Sequence, residues 1–381
     1  MTIAFLTPEF PNSKTRTSGG IGTSLFNLTA ALHHAGEQVI VMVYGQTVDA
    51  VFIENGIEIH LIKNRKFKYA AWYRNRKFLQ HYINNEIASK KIDIVEAADW
   101  TGITAFMKLK APLVIRFHGS DAYFCKLENR KQKFKNFLFE KWAVSNATAF
   151  IAPTDYAGKV SAAIFKITKR IQTIHYGLAL ENFTNDNPAQ FERGLILHIG
   201  TIIRKKGVLE LPEIFKKVAA VYPEARLVVI GPDAGDLRTQ SESTWQLMAA
   251  KLDDSIKDKV DYLGKIPYEQ VRDYIKKAHV CVFPTFAETM GMVTIESMAM
   301  SKAVVNSNIG WSQELIEDGI SGFLVNPKNH TLFSDRILTI LNDDAFTLEM
   351  GRAARIRAQE KFDILKTVRQ NIDFYQSVVN L

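Results

Sequence analysis

FPTFAETMGMVTIE, residues Phe283–Glu296, runs from the end of an apolar stretch into a helical one, with one carboxylate at Glu288 and a second at Glu296. The residues just ahead of it, 280–283, are short and wholly apolar, as in a strand buried on both faces of a parallel sheet. A strand that stops at Pro284 and a helix that opens near Gly291 put Glu288 in the loop and Glu296 one to two turns into the helix. A loop carboxylate accepts hydrogen bonds from sugar hydroxyls, backbone N–H groups around Gly291 suit a phosphate, and Glu296 is placed to reach a ribose. On composition alone Glu296 also reads as a surface helix residue. Its pairing with Glu288 in one strand–loop–helix unit singles it out.

The same unit recurs in both directions. Beyond a polar linker at 182–193 (NFTNDNPAQFER), apolar runs fall at 195–199, 227–230, 260–263, 280–283, 303–306 and 323–325. Helical stretches, including 208–221 and 270–277, fill the gaps. Upstream, runs at 3–7, 39–43, 57–62, 92–95, 113–117, 149–152 and 171–174 alternate with helical stretches such as 22–35, 101–110 and 130–145. This alternation is the βαβ pattern of a doubly wound fold. The expectation is an α/β chain of two Rossmann-like domains, residues 1–187 and 188–362, facing across a cleft, with an amphipathic helix over 362–381. Open α/β sheets bind ligands outside the carboxyl ends of their strands, so the loops after the strands are the ones to inspect.

The chain has 381 residues, enough for two cores. A composition of 47% hydrophobic and 23% charged residues is that of an ordinary soluble protein. Two cysteines, Cys125 and Cys281, argue against a disulfide framework and for a reducing compartment. The opening MTIAFLTPEF lacks the basic start and long apolar core of a signal peptide, and no apolar run approaches the roughly 20 residues that span a bilayer. A cytoplasmic protein is expected, soluble or peripheral on the inner face of the membrane. The net charge of +8 is uneven: residues 1–188 carry 24 Lys/Arg against 15 Asp/Glu, and residues 189–381 carry 24 against 25. The first half therefore faces something anionic.

Three further loops carry candidate chemistry. Ser18-Gly19-Gly20-Ile21-Gly22-Thr23 precedes a helix whose N-terminus suits an anion, although a plain turn reads equally well. Arg116-Phe117-His118-Gly119-Ser120-Asp121 follows a strand and can point His118 at a ligand, or else hold a histidine satisfied by a backbone carbonyl. Gly200-Thr201-Ile202-Ile203-Arg204-Lys205-Lys206-Gly207 places three cations at a helix start, against the helix dipole. That makes sense if a phosphate binds there, the alternative being a solvated basic turn.

Taken together, Glu288 and Glu296 with seven residues between them, Gly200 with Lys206 six positions on, and His118-Gly119-Ser120 resemble the retaining glycosyltransferases of family 4. Those enzymes have the two-domain GT-B fold and include the glycosyl transferases group 1. The resemblance runs over nearly the whole chain. It implies catalytic roles for Glu288, His118 and Lys206. It also implies a donor site of Gly20, Arg204, Lys206, Ile266, Glu288, Met290, Gly291, Met292, Val293 and Glu296. Lys206, helped by Arg204, would neutralise the donor diphosphate; Glu288 would grip the sugar and Glu296 the ribose; Ile266 would border the base. The terminal helix, from about 363, would cross back to the first domain. The chain departs from the family pattern at Thr201, where many relatives have Arg, at Thr289, and at Tyr176 and Ala179 within His175-Tyr176-Gly177-Leu178-Ala179.

The implied activity is retaining transfer of a sugar from a nucleotide-diphosphate sugar, UDP-linked first and GDP-linked next, to a glycan or lipid-linked acceptor. Cell-envelope or exopolysaccharide synthesis is the implied setting. No Asp-x-Asp triplet occurs, so no metal and no cofactor is expected, and electrostatic help to the leaving group falls to the basic loop. A nucleotide-sugar epimerase and a binding protein without catalysis are the rival readings. The basic residues of the first half cluster with aromatics at Lys63–Lys77 and again at Lys126–Lys135, which suits an anionic membrane surface or a phosphorylated acceptor better than nucleic acid, the alternative being a solvated basic face.

Overall fold

Each apolar run of the first half becomes a strand, and alternate residues of the strands enter different cores. The structure is a computed structural model and describes residues 1–12, 14 and 19–381. The strands β1 (Thr2–Thr7), β2 (Gln38–Gln46), β3 (Ala50–Glu54), β4 (Ile57–Lys63), β5 (Ile94–Ala98), β6 (Leu113–Arg116), β7 (Ala149–Ala152) and β8 (Ile171–Thr173) form one sheet in the order β3-β4-β2-β1-β5-β6-β7-β8. All pairings are parallel except β3 with β4. Helices α1 (Gly20–His34), α2 (Ala71–Lys90), α3 (Asp121–Leu127), α4 (Phe134–Ser145) and α5 (Asp155–Phe165) follow the strands. Ile3 and Phe5 pack with Leu25, Leu28 and Leu32 of α1, while Ala4 and Leu6 pack with Leu79, Ile83 and Ile87 of α2. Burial on both faces is why the runs are continuous rather than alternating.

The second sheet holds β9 (Leu195–Ile199), β10 (Arg226–Ile230), β11 (Val260–Tyr262), β12 (Val280–Phe283), β13 (Ala303–Ser307) and β14 (Phe323–Val325), all parallel, in the order β11-β10-β9-β12-β13-β14. Around it lie α6 (Leu211–Val221), α7 (Thr244–Ala249), α8 (Tyr268–Lys277), α9 (Met292–Ala299), α10 (Gly310–Leu315), α11 (His330–Leu341) and α12 (Asp344–Lys361). One core joins Val229, Val280, Val282 and Val305 of the strands to Ile214, Phe215 and Val218 of α6 and Phe333 of α11. The last helix, α13 (Ile364–Val379), belongs to the first unit, where Val368, Tyr375 and Val378 share the core of α1.

The chain divides into Met1–Ala179 with Asp363–Leu381, and Leu180–Phe362. The boundary thus falls eight residues before the 187 read from the sequence. Phe183 is buried beside Tyr268, and its carbonyl accepts from Arg355, which draws the polar linker into the second unit. Two helical expectations are corrected. Residues 101–110 form a short 3-10 turn and loop, with Thr101, Gly102 and Phe106 at positive φ. A Cβ on Gly102 would sit 2.3 Å from the Phe139 backbone, so this close approach needs glycine. The stretch 130–145 is helical only from Phe134. The hairpin β3–β4 was not anticipated, although Asn55-Gly56 at its turn, both at positive φ, is a strong hairpin signal.

Candidate functional site

In the second unit two loops are locked together by backbone. The basic loop after β9 coils into a 3-10 turn at Arg204–Lys206 and leaves it through Gly207 at φ 73°. A Cβ at Gly207 would lie 1.8 Å from the Pro284 carbonyl oxygen, so only glycine allows this loop to press against the end of β12. The Phe286 N–H then donates to the Lys205 carbonyl at 2.7 Å. This stitching delivers Lys206 Nζ to 2.9 Å from Glu288 Oε2. Burial pushes the Glu288 carboxyl up, but the charges of Lys206 and Lys205 more than offset it and hold the group below the usual carboxylate range.

Two other candidates are held by partners that sequence reasoning missed. Arg204 is forked onto Asp236, Nε to Oδ1 at 2.8 Å and Nη2 to Oδ2 at 2.7 Å. Asp236 also accepts from the Thr239 backbone and hydroxyl, and Arg204 holds its carboxyl well below the ordinary range. Glu296, in the second turn of α9, accepts from the Tyr268 phenol at 2.6 Å. Its carboxyl is buried, and burial lifts it to about 7 against the opposing hydrogen bond. Tyr268 opens α8 directly after the Gly264–Pro267 loop, two residues beyond Ile266, and that adjacency was the available signal.

Between the two carboxylates, Met290, Gly291, Met292 and Val293 lead into α9. Gly291 caps the helix at φ 84°, and a Cβ there would meet the Trp311 ring at 2.8 Å. The first N–H groups of a helix are without intrahelical partners, which is what an anion needs. His198 was also missed, hidden in the apolar run of β9. Its Nδ1 lies 2.9 Å from the Val282 carbonyl, its buried Nε2 has no partner among the described residues, and burial pushes it down to about 4.

The first unit holds His118 and Gly20. Gly20 begins α1, where the Glu9 carboxylate already accepts the Gly22 N–H at 2.8 Å. An anion bound at that helix end would have to displace Glu9. Ser18 of this loop lies outside the described residues. His118 lines a small recess of about 20 Å³ together with Ser24, Glu96, Arg116, Tyr176 and Asn371. Its Nδ1 is 2.7 Å from the Tyr176 hydroxyl, and the two rings are stacked with centroids 5.5 Å apart. Burial and the nearby Arg116 charge push the imidazole down to about 3, so it is neutral. Its backbone N–H donates to Asp99, a buried carboxyl lifted to about 7 by burial and by Glu140.

Among the described residues, one group of metal-ligand type brings its atoms within 4.8 Å: Glu58, His60 and Glu86 on β4 and α2. Lys90 Nζ lies 2.6 Å from Glu58 and supplies the positive charge there. Among the described residues no helix is long and apolar enough to cross a membrane.

Comparison with known proteins covers both units. The family described as Glycosyltransferase Family 4 matches residues 18–182, and that described as Glycosyl transferases group 1 matches residues 181–357. The capsular polysaccharide biosynthesis glycosyltransferase CapM of Staphylococcus aureus is 25% identical over 251 residues, covering 60% of this chain and 61% of CapM. In fold, the chain is similar to sucrose-phosphate synthase from Thermosynechococcus elongatus, with TM-score 0.79 and 18% identity over 99% of this chain and 98% of that one. It is also similar to HepE of Anabaena, solved in complex with UDP and glucose, with TM-score 0.75 and 16% identity over 98% and 99%.

Proposed function

The chain belongs to glycosyltransferase family 4, its second half to the glycosyl transferases group 1, and from that premise we propose that it moves a sugar from a nucleotide-diphosphate donor to a hydroxyl of a glycan or lipid-linked acceptor. The observation that carries this reading is the Lys206–Glu288 pair, 2.9 Å apart on two stitched loops. A nucleotide sugar places its diphosphate and its sugar hydroxyls a few bonds apart, so a cation and a carboxylate side by side suit the two at once. Lys206 stabilises the charge that develops on the departing diphosphate, and the N–H groups at the start of α9 share it. Each such charge-assisted bond contributes about 1.5–3 kcal/mol. Glu288 accepts from the sugar hydroxyls and Glu296 from the ribose.

The retaining enzymes that the chain resembles are taken to react by attack on the face of the departing diphosphate, with no protein nucleophile. We therefore take transfer to be retaining and front-sided: the glycosidic C–O bond to phosphate breaks, the acceptor oxygen bonds on the same face, and a phosphate oxygen takes the acceptor proton. No residue of the site needs a metal for these steps. A UDP-sugar is the favoured donor, since a protein of this fold binds UDP and glucose. GDP-sugars come next. A polysaccharide pathway accords with the resemblance to CapM.

A thermal-shift and calorimetry panel of UDP, GDP, ADP and their common sugars tests the site on wild type, Lys206→Ala and Glu296→Ala. Selective binding of one nucleotide, lost in both variants, is expected; binding that survives both substitutions would overturn the assignment. The anomeric configuration of the product, read by proton NMR, decides retention.

A cytoplasmic location, peripheral on an anionic membrane, is proposed with it. The two basic stretches meet on one surface: Lys135 Nζ lies 5.4 Å above the Trp72 ring, and Trp72 stacks on Phe139 at 5.0 Å. Phe134 and Tyr69 stand exposed beside them. Cations with interleaved aromatics suit an anionic lipid interface. Co-sedimentation with anionic but not neutral liposomes, weakening with salt, is the expected result; equal recovery in both supernatants would refute it.

A further inference from the structure

Behind His118 lies a chain of polar groups whose direction the structure allows one to read. At its base the Arg116 guanidinium is held by three side chains: Nε and Nη2 reach the two Glu96 oxygens at 2.7 and 2.9 Å, and Nη2 also reaches Asn371 at 2.6 Å and the Tyr375 hydroxyl at 3.1 Å. Tyr375 in turn donates to Glu96 at 2.7 Å. All four side chains are buried, so the charge of Arg116 is fixed in place. The Tyr176 phenol lies within its electrostatic reach and is 2.7 Å from His118 Nδ1.

A hydroxyl can donate or accept, so the Tyr176–His118 bond has two possible directions. A fixed cation beside the phenol draws on its oxygen lone pairs and strengthens the O–H as a donor. The same cation disfavours protonation of the imidazole, which therefore carries a single proton, on one nitrogen or the other.

We propose that Tyr176 is a positioning residue that donates its hydroxyl proton to His118 Nδ1, fixing the imidazole as the Nε2–H tautomer, so that His118 offers a hydrogen-bond donor to an oxygen of the sugar substrate. The tautomer is set by the bond at the far nitrogen, as in other paired histidines. The proposal rests on the transferase reading for its substrate, but not for the tautomer.

The test uses the full chain labelled with 15N-histidine, the His118 signals among the nine histidines being assigned by their loss in His118→Gln. Two-bond proton–nitrogen NMR is expected to show an unprotonated Nδ1 and a protonated Nε2. Tyr176→Phe, which keeps the ring stack, is expected to mix the two tautomers. A protonated Nδ1 in wild type, or a pattern unchanged in Tyr176→Phe, would overturn the proposal. Kinetics add a second reading, on hydrolysis of the nucleotide sugar with UDP-glucose first. Tyr176→Phe is expected to lower kcat about tenfold with KM moved less than about threefold, the effect of one lost hydrogen bond. In His118→Gln, whose amide offers an N–H near the place of Nε2–H, the same substitution is expected to cost less than about twofold. An equal loss in both backgrounds would make Tyr176 merely structural. The expected tautomer in a chain that turns over no nucleotide sugar would sink the transferase reading and leave the tautomer assignment standing.

Discussion

The two units manage charge in opposite ways. In Leu180–Phe362 the candidate groups form partly exposed pairs on loops: Lys206 with Glu288, their side chains 17% and 21% exposed, and Arg204 with Asp236, 36% and 3%. In the first unit the candidate cation and its partner are sealed in: Arg116 and Glu96 are each 3% exposed, and His118, which lines the recess with them, is neutral. A pair left partly in water can exchange its partner for a ligand, because solvent lowers the cost of parting it. A pair buried at both ends parts only at high cost, and it serves to hold a neighbour in place. The difference separates groups that meet a ligand from groups that position others.

The sharpest way to break this comparison is to remove one partner from each kind of pair. Arg116→Ala leaves Glu96 buried without its cation, and should destabilise the first unit by about 3–5 kcal/mol in urea unfolding. Lys206→Ala should cost roughly 1 kcal/mol or less in the same measurement, because Glu288 keeps access to water. Similar costs at the two positions would mean that exposure does not distinguish their roles.

Backbone offers a smaller contrast. Gly207→Ala must move the Pro284 carbonyl and abandon a positive φ, so it should separate the basic loop from Glu288 and weaken nucleotide binding more than about tenfold, a loss of about 1.4 kcal/mol. Gly20→Ala meets nothing within 4 Å and should leave the thermal midpoint unchanged. Full nucleotide affinity in Gly207→Ala would show that the stitched loops are not what builds the site.

The parts of the molecule that were readable in the chain are those set by local pattern. Each apolar run is a strand because both of its faces are covered, and the carboxylates at 288 and 296 keep their spacing because one loop and one helix carry them. What could not be read depends on partners far apart in sequence. Arg204 and Asp236 are 32 residues apart, and Arg116 and Tyr375 are 259. No periodicity announces such pairs. Nor does pattern alone show that the chain at Gly102 runs against the Phe139 backbone, or that a carboxylate from Glu9 already stands at the start of α1. The Asn55-Gly56 turn is different: its signal was present, but β3 is an edge strand with Val51 and Ile53 exposed, so it shows no buried run.

The smallest expected effect concerns Glu296, which sits between the two regimes: a buried carboxyl with a single phenol partner. Burial raises it to about 7, so the folded protein favours its protonated form more than the unfolded chain does. The stability this contributes is fully present below about pH 4.5, the value of a free glutamate, and is lost as pH rises through about 7. From pH 5 to 8 the second unit should therefore lose on the order of 1–3 kcal/mol relative to Glu296→Gln, read as the difference between their denaturation profiles. Nucleotide binding should move the other way. Ribose hydroxyls donate more strongly to a carboxylate than to a carboxylic acid, so wild-type affinity should rise through about pH 7 while that of Glu296→Gln stays flat. If wild type and variant share both profiles, Glu296 is ionised throughout, and the line drawn between exchangeable and sealed groups must be moved to put it among the half-exposed ones.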